Sequence, residues 1–136
     1  MPAPRTALRR SLLMAVGAFI AYGGWAVYAN YRHGLATSLV SALTQGIISF
    51  LVTAFMTLIL EAIFYRFAAG ALRIVVTAVG AQAAVALVTF TIHYVVGTPE
   101  IIVTMTPSFI VSSIYCVVYT TGMHIRDRRR PVPSTQ

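Results

Sequence analysis

Two series of polar residues at intervals of four run through otherwise apolar stretches. Ser41, Gln45, Ser49, Thr53, Thr57 and Glu61 form the first; Thr104, Ser108, Ser112, Cys116, Thr120 and His124 form the second. Residues four apart share a helix face, so each series is a polar stripe on a helix. At 3.6 residues per turn the stripe drifts by about 40° per step, and one straight seam cannot use all of it. Hydrocarbon offers unsatisfied polar groups no water, so the stripes should face protein or a wet cavity. Two readings stand. Small hydroxyl residues let helices approach closely and hydrogen-bond across their contact, or the stripes line a path for a polar substrate or lipid headgroup. Ser and Thr can donate to a carbonyl of their own helix. The amide of Gln45 satisfies itself less easily, and calls for a partner across the bundle, either Ser108 or backbone opened by Pro107. Gln45, Ser49, Thr53, Thr104, Pro107, Ser108 and Ser112 are therefore the candidate pathway or interhelix residues.

Pro107 lies inside an apolar stretch, where it removes one helical hydrogen bond and frees the carbonyl of Val103. The neighbouring hydroxyls of Thr104, Thr106 and Ser108 are expected to satisfy that carbonyl; the alternative is a hinge or an exposed carbonyl site.

Ionisable residues in such stretches are few, and each is a functional candidate because charge is costly in hydrocarbon. Glu61 sits near the C-terminal end of its helix, where a carboxylate opposes the helix dipole and needs a cation. His124, at the matching place on the second stripe, Arg66 and Arg73 are the available partners. His93 falls near a turn with Glu100, Arg32 and His33, and together they are expected to form a water-bathed polar cluster. Asp127 lies in a run of arginines and should pair locally.

No metal spacing such as H-E-x-x-H, no G-x-S-x-G nucleophile and no phosphate-cradling glycine loop occurs. Glu61 and Glu100 are assigned to opposite membrane faces, too far apart to act together, so no catalytic, metal or cofactor site is expected and the chain is not read as an enzyme.

The elements that position these residues follow from composition. The 136 residues are 58% hydrophobic and 10% charged, against about 45–50% and about 25% in a soluble domain. A bilayer core about 30 Å thick takes about 20 apolar residues per helix, and there are four such stretches: Leu12 to Ala29, Ser38 to Phe64, Leu72 to Val96, and Ile101 to Ile125. The expected fold is thus one all-α integral membrane domain of four transmembrane helices. The first stretch loosely resembles a cleavable leader ending at Val27-Tyr28-Ala29, but it is longer than a usual leader core and has a counterpart later in the chain, so it is read as retained. Thr98, Pro99 and Glu100 suit the N-cap, first position and first turn of the fourth helix. Trp25, Tyr28, Tyr31 and Tyr94 at one boundary, and Phe64, Tyr65 and Phe67 at the other, read as interfacial aromatics.

All ten basic residues are arginine and the net charge is +7. Arg5, Arg9 and Arg10 precede the first span, Arg66 and Arg73 flank the middle loop, and Arg126, Arg128, Arg129 and Arg130 follow the last; only Arg32 falls opposite. The positive-inside rule puts both termini in the cytoplasm. The tail, 126–136, is an orientation signal that also suits anionic lipid headgroups rather than nucleic acid. The expected location is the bacterial inner membrane. The lone cysteine, Cys116, excludes an intramolecular disulfide.

A shift of 63 residues lays the chain on itself without gaps. Ala15-Val16-Gly17-Ala18 falls on Ala78-Val79-Gly80-Ala81, Tyr31 on Tyr94, Gly34 on Gly97, Arg10 on Arg73 and Arg66 on Arg129, and the two stripes coincide member by member. The units are 8–66 and 71–129: two tandem helical hairpins in a parallel repeat, with a pseudo-two-fold axis along the membrane normal.

Two functions fit. The first is a small transporter or lipid flippase acting as a homo-oligomer. The second is a non-catalytic accessory or assembly subunit of a larger membrane complex, docking through the small-residue face Gly17, Ala21 and Gly24.

Overall fold

The computed structural model describes residues 4–68 and 70–129. The side chain of Arg5, and the basic tail from Arg130 onward, lie outside the described residues. Four long helices carry the chain: α1 (Pro4–Asn30), α2 (Leu35–Phe64), α3 (Ala71–Val96) and α4 (Ile101–Arg128), with a single 3-10 turn, Tyr31–His33, between the first two. All four are long and apolar enough to cross a membrane. Helix α1 starts earlier, and α4 ends later, than the apolar stretch alone indicates, because polar residues such as Arg9 and Arg126 extend the helix past its greasy segment, and α2 starts earlier at Leu35.

What is buried argues for lipid around the bundle. Leu13, Ile20, Leu58, Leu87 and Val118 point outward, while Asn30, Ser41, Gln45, Thr77, His93, Thr104 and Thr120 are buried. Water would favour the reverse arrangement; a bilayer has no preference for burying apolar side chains and a strong one for pairing polar groups. A small apolar core of Met56, Leu60, Ala78, Ala81 and Cys116 joins α2, α3 and α4.

The helix pair in most extensive contact is α1 with α2. Glycines permit it. A Cβ on Gly23 would stand 3.1 Å from the Ala42 carbonyl, and one on Gly46 would stand 2.9 Å from the Phe19 ring. Small residues at a membrane helix contact bring backbones together in this way.

The two short turns lie at one end of the bundle, here the turn end; the chain termini and the α2–α3 connection lie at the other, the terminal end. Helix α3 stops at Gly97, whose φ of 80° suits glycine, with the N–H groups of Gly97 and Thr98 returning to the His93 carbonyl. Thr98 is not the N-cap of α4: the helix begins at Ile101, behind Glu100, and no side chain caps it. The Thr98 hydroxyl is taken instead by His93.

Candidate functional site

Helix α3 places His93 in the bundle interior, with no exposed surface. Its Nε2 donates to Oε1 of Gln45 at 2.8 Å, an oxygen that can only accept. A neutral ring then accepts the Thr98 hydroxyl proton at Nδ1, also at 2.8 Å. The Gln45 amide nitrogen donates onward to Ser49 at 3.1 Å and to Ser108 at 3.0 Å. Ser108 passes its own proton to the Met105 carbonyl. Gln45 and Ser49 come from α2, His93 from α3 and Ser108 from α4, and the chain of bonds fixes their mutual register.

His93 is therefore not part of a wet cluster with Glu100. Glu100 lies at the surface against His33, 3.1 Å away, and Arg32 turns to the Tyr31 hydroxyl. Only the face of α3 separates the two outcomes, and His93 falls on the face that carries Thr89 and Gln82 inward.

Beside this network lies a cavity of about 330 Å³, within the lower range of small-molecule sites. Gln45, Ser49, Thr53, Ser108 and Ser112 from the two stripes border it, joined by Gln82 and Thr89 of α3. Met14, Met56, Val85 and Phe109 supply apolar wall. The cavity follows α2 from Gln45 to Thr57, about 18 Å at 1.5 Å per residue. At the turn end, α1 and α4 are held together by Trp25 and Asn30. Further down, the cavity lies between them, with Ser11 and Met14 on one side and Ser112 and Tyr115 on the other. The Thr57 and Tyr115 hydroxyls share a hydrogen bond of 2.7 Å at that lower part.

Pro107 does not expose a carbonyl, and the nearby hydroxyls do not close the gap it leaves. Thr106 bonds Ile102 and Ser108 bonds Met105, each serving a carbonyl of its own helix. The Val103 carbonyl is taken by the indole N–H of Trp25, across from α1. Thr104 is engaged by Asn30, which also reaches the Ala26 carbonyl and receives the Glu100 backbone N–H.

The terminal end differs from expectation as well. Glu61 accepts from the Tyr119 hydroxyl at 2.7 Å and forms no ion pair among the described residues. His124 is apart from it, its Nδ1 buried without a hydrogen bond among the described residues. Arg73 is buried, lies over the Phe64 ring and pairs with Asp127. Asp127 thus reaches across the bundle to Arg73, because α4 continues as helix to Arg128 and carries it back to α3.

Asn30, Trp25, Gln82 and Thr89 carry as much of the site as the stripe residues, yet spacing alone does not single them out. One signal was available for Asn30: the repeat lays it on His93, and both are fully buried. Among the described residues no group of His, Cys, Asp and Glu could hold a metal ion.

Comparison with family models, curated proteins and solved structures finds no match to the chain.

Proposed function

We propose that this protein is a small, non-enzymatic membrane transporter or lipid flippase that works as an oligomer. The observation that carries the reading is the cavity: a space at membrane depth, bounded by four apolar helices, with an ordered hydrogen-bonding head at Gln45 and an apolar wall. A helix bundle built only for packing has no use for such a space, since unfilled volume costs stability. One bundle makes a thin wall around a path, which favours two or more copies.

The architecture belongs to the same proposal: two tandem hairpins, both termini in the cytoplasm of a bacterial inner membrane, and anionic headgroups against the arginines. The repeat has support in its mates. Gln45 and Ser108, separated by 63, bond to each other as residues beside a pseudo-two-fold axis would. Phe19 covers Gly46 in one hairpin, and its mate Gln82 reaches the carbonyl of Phe109, the mate of Gly46, in the other. The departure from symmetry is informative. Where the first hairpin has Gly23 and Gly46 and closes tightly, the second has Ala86 and Phe109, and both of these border the cavity.

The test is lipid scrambling in proteoliposomes. Acyl-labelled lipids with choline, phosphoglycerol and hexose headgroups are reconstituted with the protein, and dithionite bleaches whatever label reaches the outer leaflet. At least one headgroup should lose its inner-leaflet protection, and Gln45→Leu should restore it at equal protein abundance. Protection identical to empty vesicles for every headgroup refutes the flippase form.

A second reading, an accessory or assembly subunit of a larger complex, draws on one observation. Gly17 and Gly24 face outward on α1 with open space where a Cβ would stand. Under that reading, Gly24→Leu releases a co-purifying partner; under the transporter reading it does not.

A further inference from the structure

We infer that the cavity receives an uncharged amphiphile, with a hydroxyl- or carbonyl-bearing head at the Gln45 end and an apolar tail toward Met56 and Val85; this rests on the transporter reading and names its substrate class. Among the described residues, no carboxylate, guanidinium or imidazole borders the cavity. Three ionisable groups of the bundle interior are already committed. His93 stands behind Gln45 with both ring nitrogens bonded. Glu61 is held by Tyr119, and Arg73 by Asp127 and Phe64. A charged head at the Gln45 end would lie without a counter-charge, and an unpaired ion at membrane depth is costly.

Neutral hydrogen-bonding capacity, in contrast, is present. Ser49 accepts from Gln45, but its own proton has no acceptor among the described residues. Thr89 borders the cavity with no hydrogen bond to another side chain among the described residues. The Gln82 amide makes one long bond, 3.4 Å to the Phe109 carbonyl, and one weak contact with Cys116. Ser49 and Thr89 offer their hydroxyls to an oxygen-bearing head near Gln45, and Gln82 offers its amide about 10 Å further along α3. Met56 and Val85, beyond Ser49 and Thr89, suit an alkyl chain.

The test uses decyl photoprobes that share one mid-chain diazirine and end in a hydroxyl, a carboxylate or a trimethylammonium group. The full-length protein is labelled in lipid nanodiscs, and adducts are mapped by mass spectrometry. The hydroxyl probe should modify Met56 and Met105 several-fold more than either charged probe, while all three modify the outward residues Leu58 and Val118 alike. Unlabelled decanol should compete only at the cavity, and Ala86→Phe should suppress only the cavity adducts. Equal cavity labelling by a charged probe, or labelling confined to the outward residues, overturns the assignment. Selective cavity labelling without lipid scrambling would keep the ligand class and remove the flippase. Scrambling of a charged headgroup without selective labelling would keep the flippase and remove the ligand class.

Discussion

Trp25 on α1 donates its indole N–H, at 2.8 Å, to the main-chain carbonyl of Val103 on α4, the carbonyl that Pro107 leaves without a helical donor. The proline and the tryptophan are therefore one device. The imino residue opens a position on α4, and the indole fills it from the neighbouring helix, closing the turn end of the bundle above the cavity.

This coupling is measurable. Trp25→Phe should destabilise the bundle by about 1–3 kcal/mol, the cost of a carbonyl left without a donor in hydrocarbon. Pro107→Ala restores a helical N–H for Val103, so adding it to Trp25→Phe should cost less than the sum of the single changes. Reversible unfolding in mixed detergent gives the double-mutant cycle. Strict additivity would show that the indole contributes only its ring.

Gln45 is the junction of three helices, so Gln45→Leu should cost about 1–3 kcal/mol by stranding His93, Ser49 and Ser108 together. Combining it with His93→Phe should recover part of that loss, because two partners are removed in place of one. The same unfolding measurement applies, and a full additive loss would mean the Gln45–His93 bond carries no coupling.

The sequence makes the four spans legible because apolar length is a direct consequence of bilayer thickness. It also marks Gln45, since an amide in hydrocarbon demands a partner that no neighbour on its own helix supplies in full. Orientation about the helix axis is less legible. His93 and Glu100 stand close in sequence, but one faces Gln45 and the other His33. Thr98, with proline and glutamate after it, carries every local sign of an N-cap, and the buried imidazole of His93 outcompetes that role for its hydroxyl. The pairing of Arg73 with Asp127 was hidden for a different reason: charges beyond an apolar stretch look like a solvated tail, whereas α4 remains helical through them.

Close packing of α1 on α2 yields a contrast between adjacent glycines. Gly23→Ala should destabilise the bundle by about 1–3 kcal/mol, because the new Cβ meets the Ala42 carbonyl and main chain cannot swing aside. Gly24→Ala meets nothing, and should be neutral or stabilising by up to about 1 kcal/mol through helix propensity. Comparing the two unfolding midpoints checks this. Equal effects would mean α1 and α2 do not approach as closely as described.

Buried hydroxyls on Thr77 and Thr120 have no hydrogen-bond partner among the described residues. Replacing either with valine keeps the shape and removes an unpaired polar group, so thermal stability should hold or rise. A fall of several degrees for Thr120→Val, read by thermal aggregation in detergent, would reveal a partner for that hydroxyl in the membrane.

Native mass spectrometry of the protein, extracted gently from its own membrane, tests the central claim most directly. The expected result is a homo-oligomer that retains an uncharged lipid-like molecule, lost on collisional activation and absent from the Ala86→Phe variant. Stoichiometric recovery with a second, larger protein and no retained small molecule would contradict it, and would make the chain a subunit of that partner's complex.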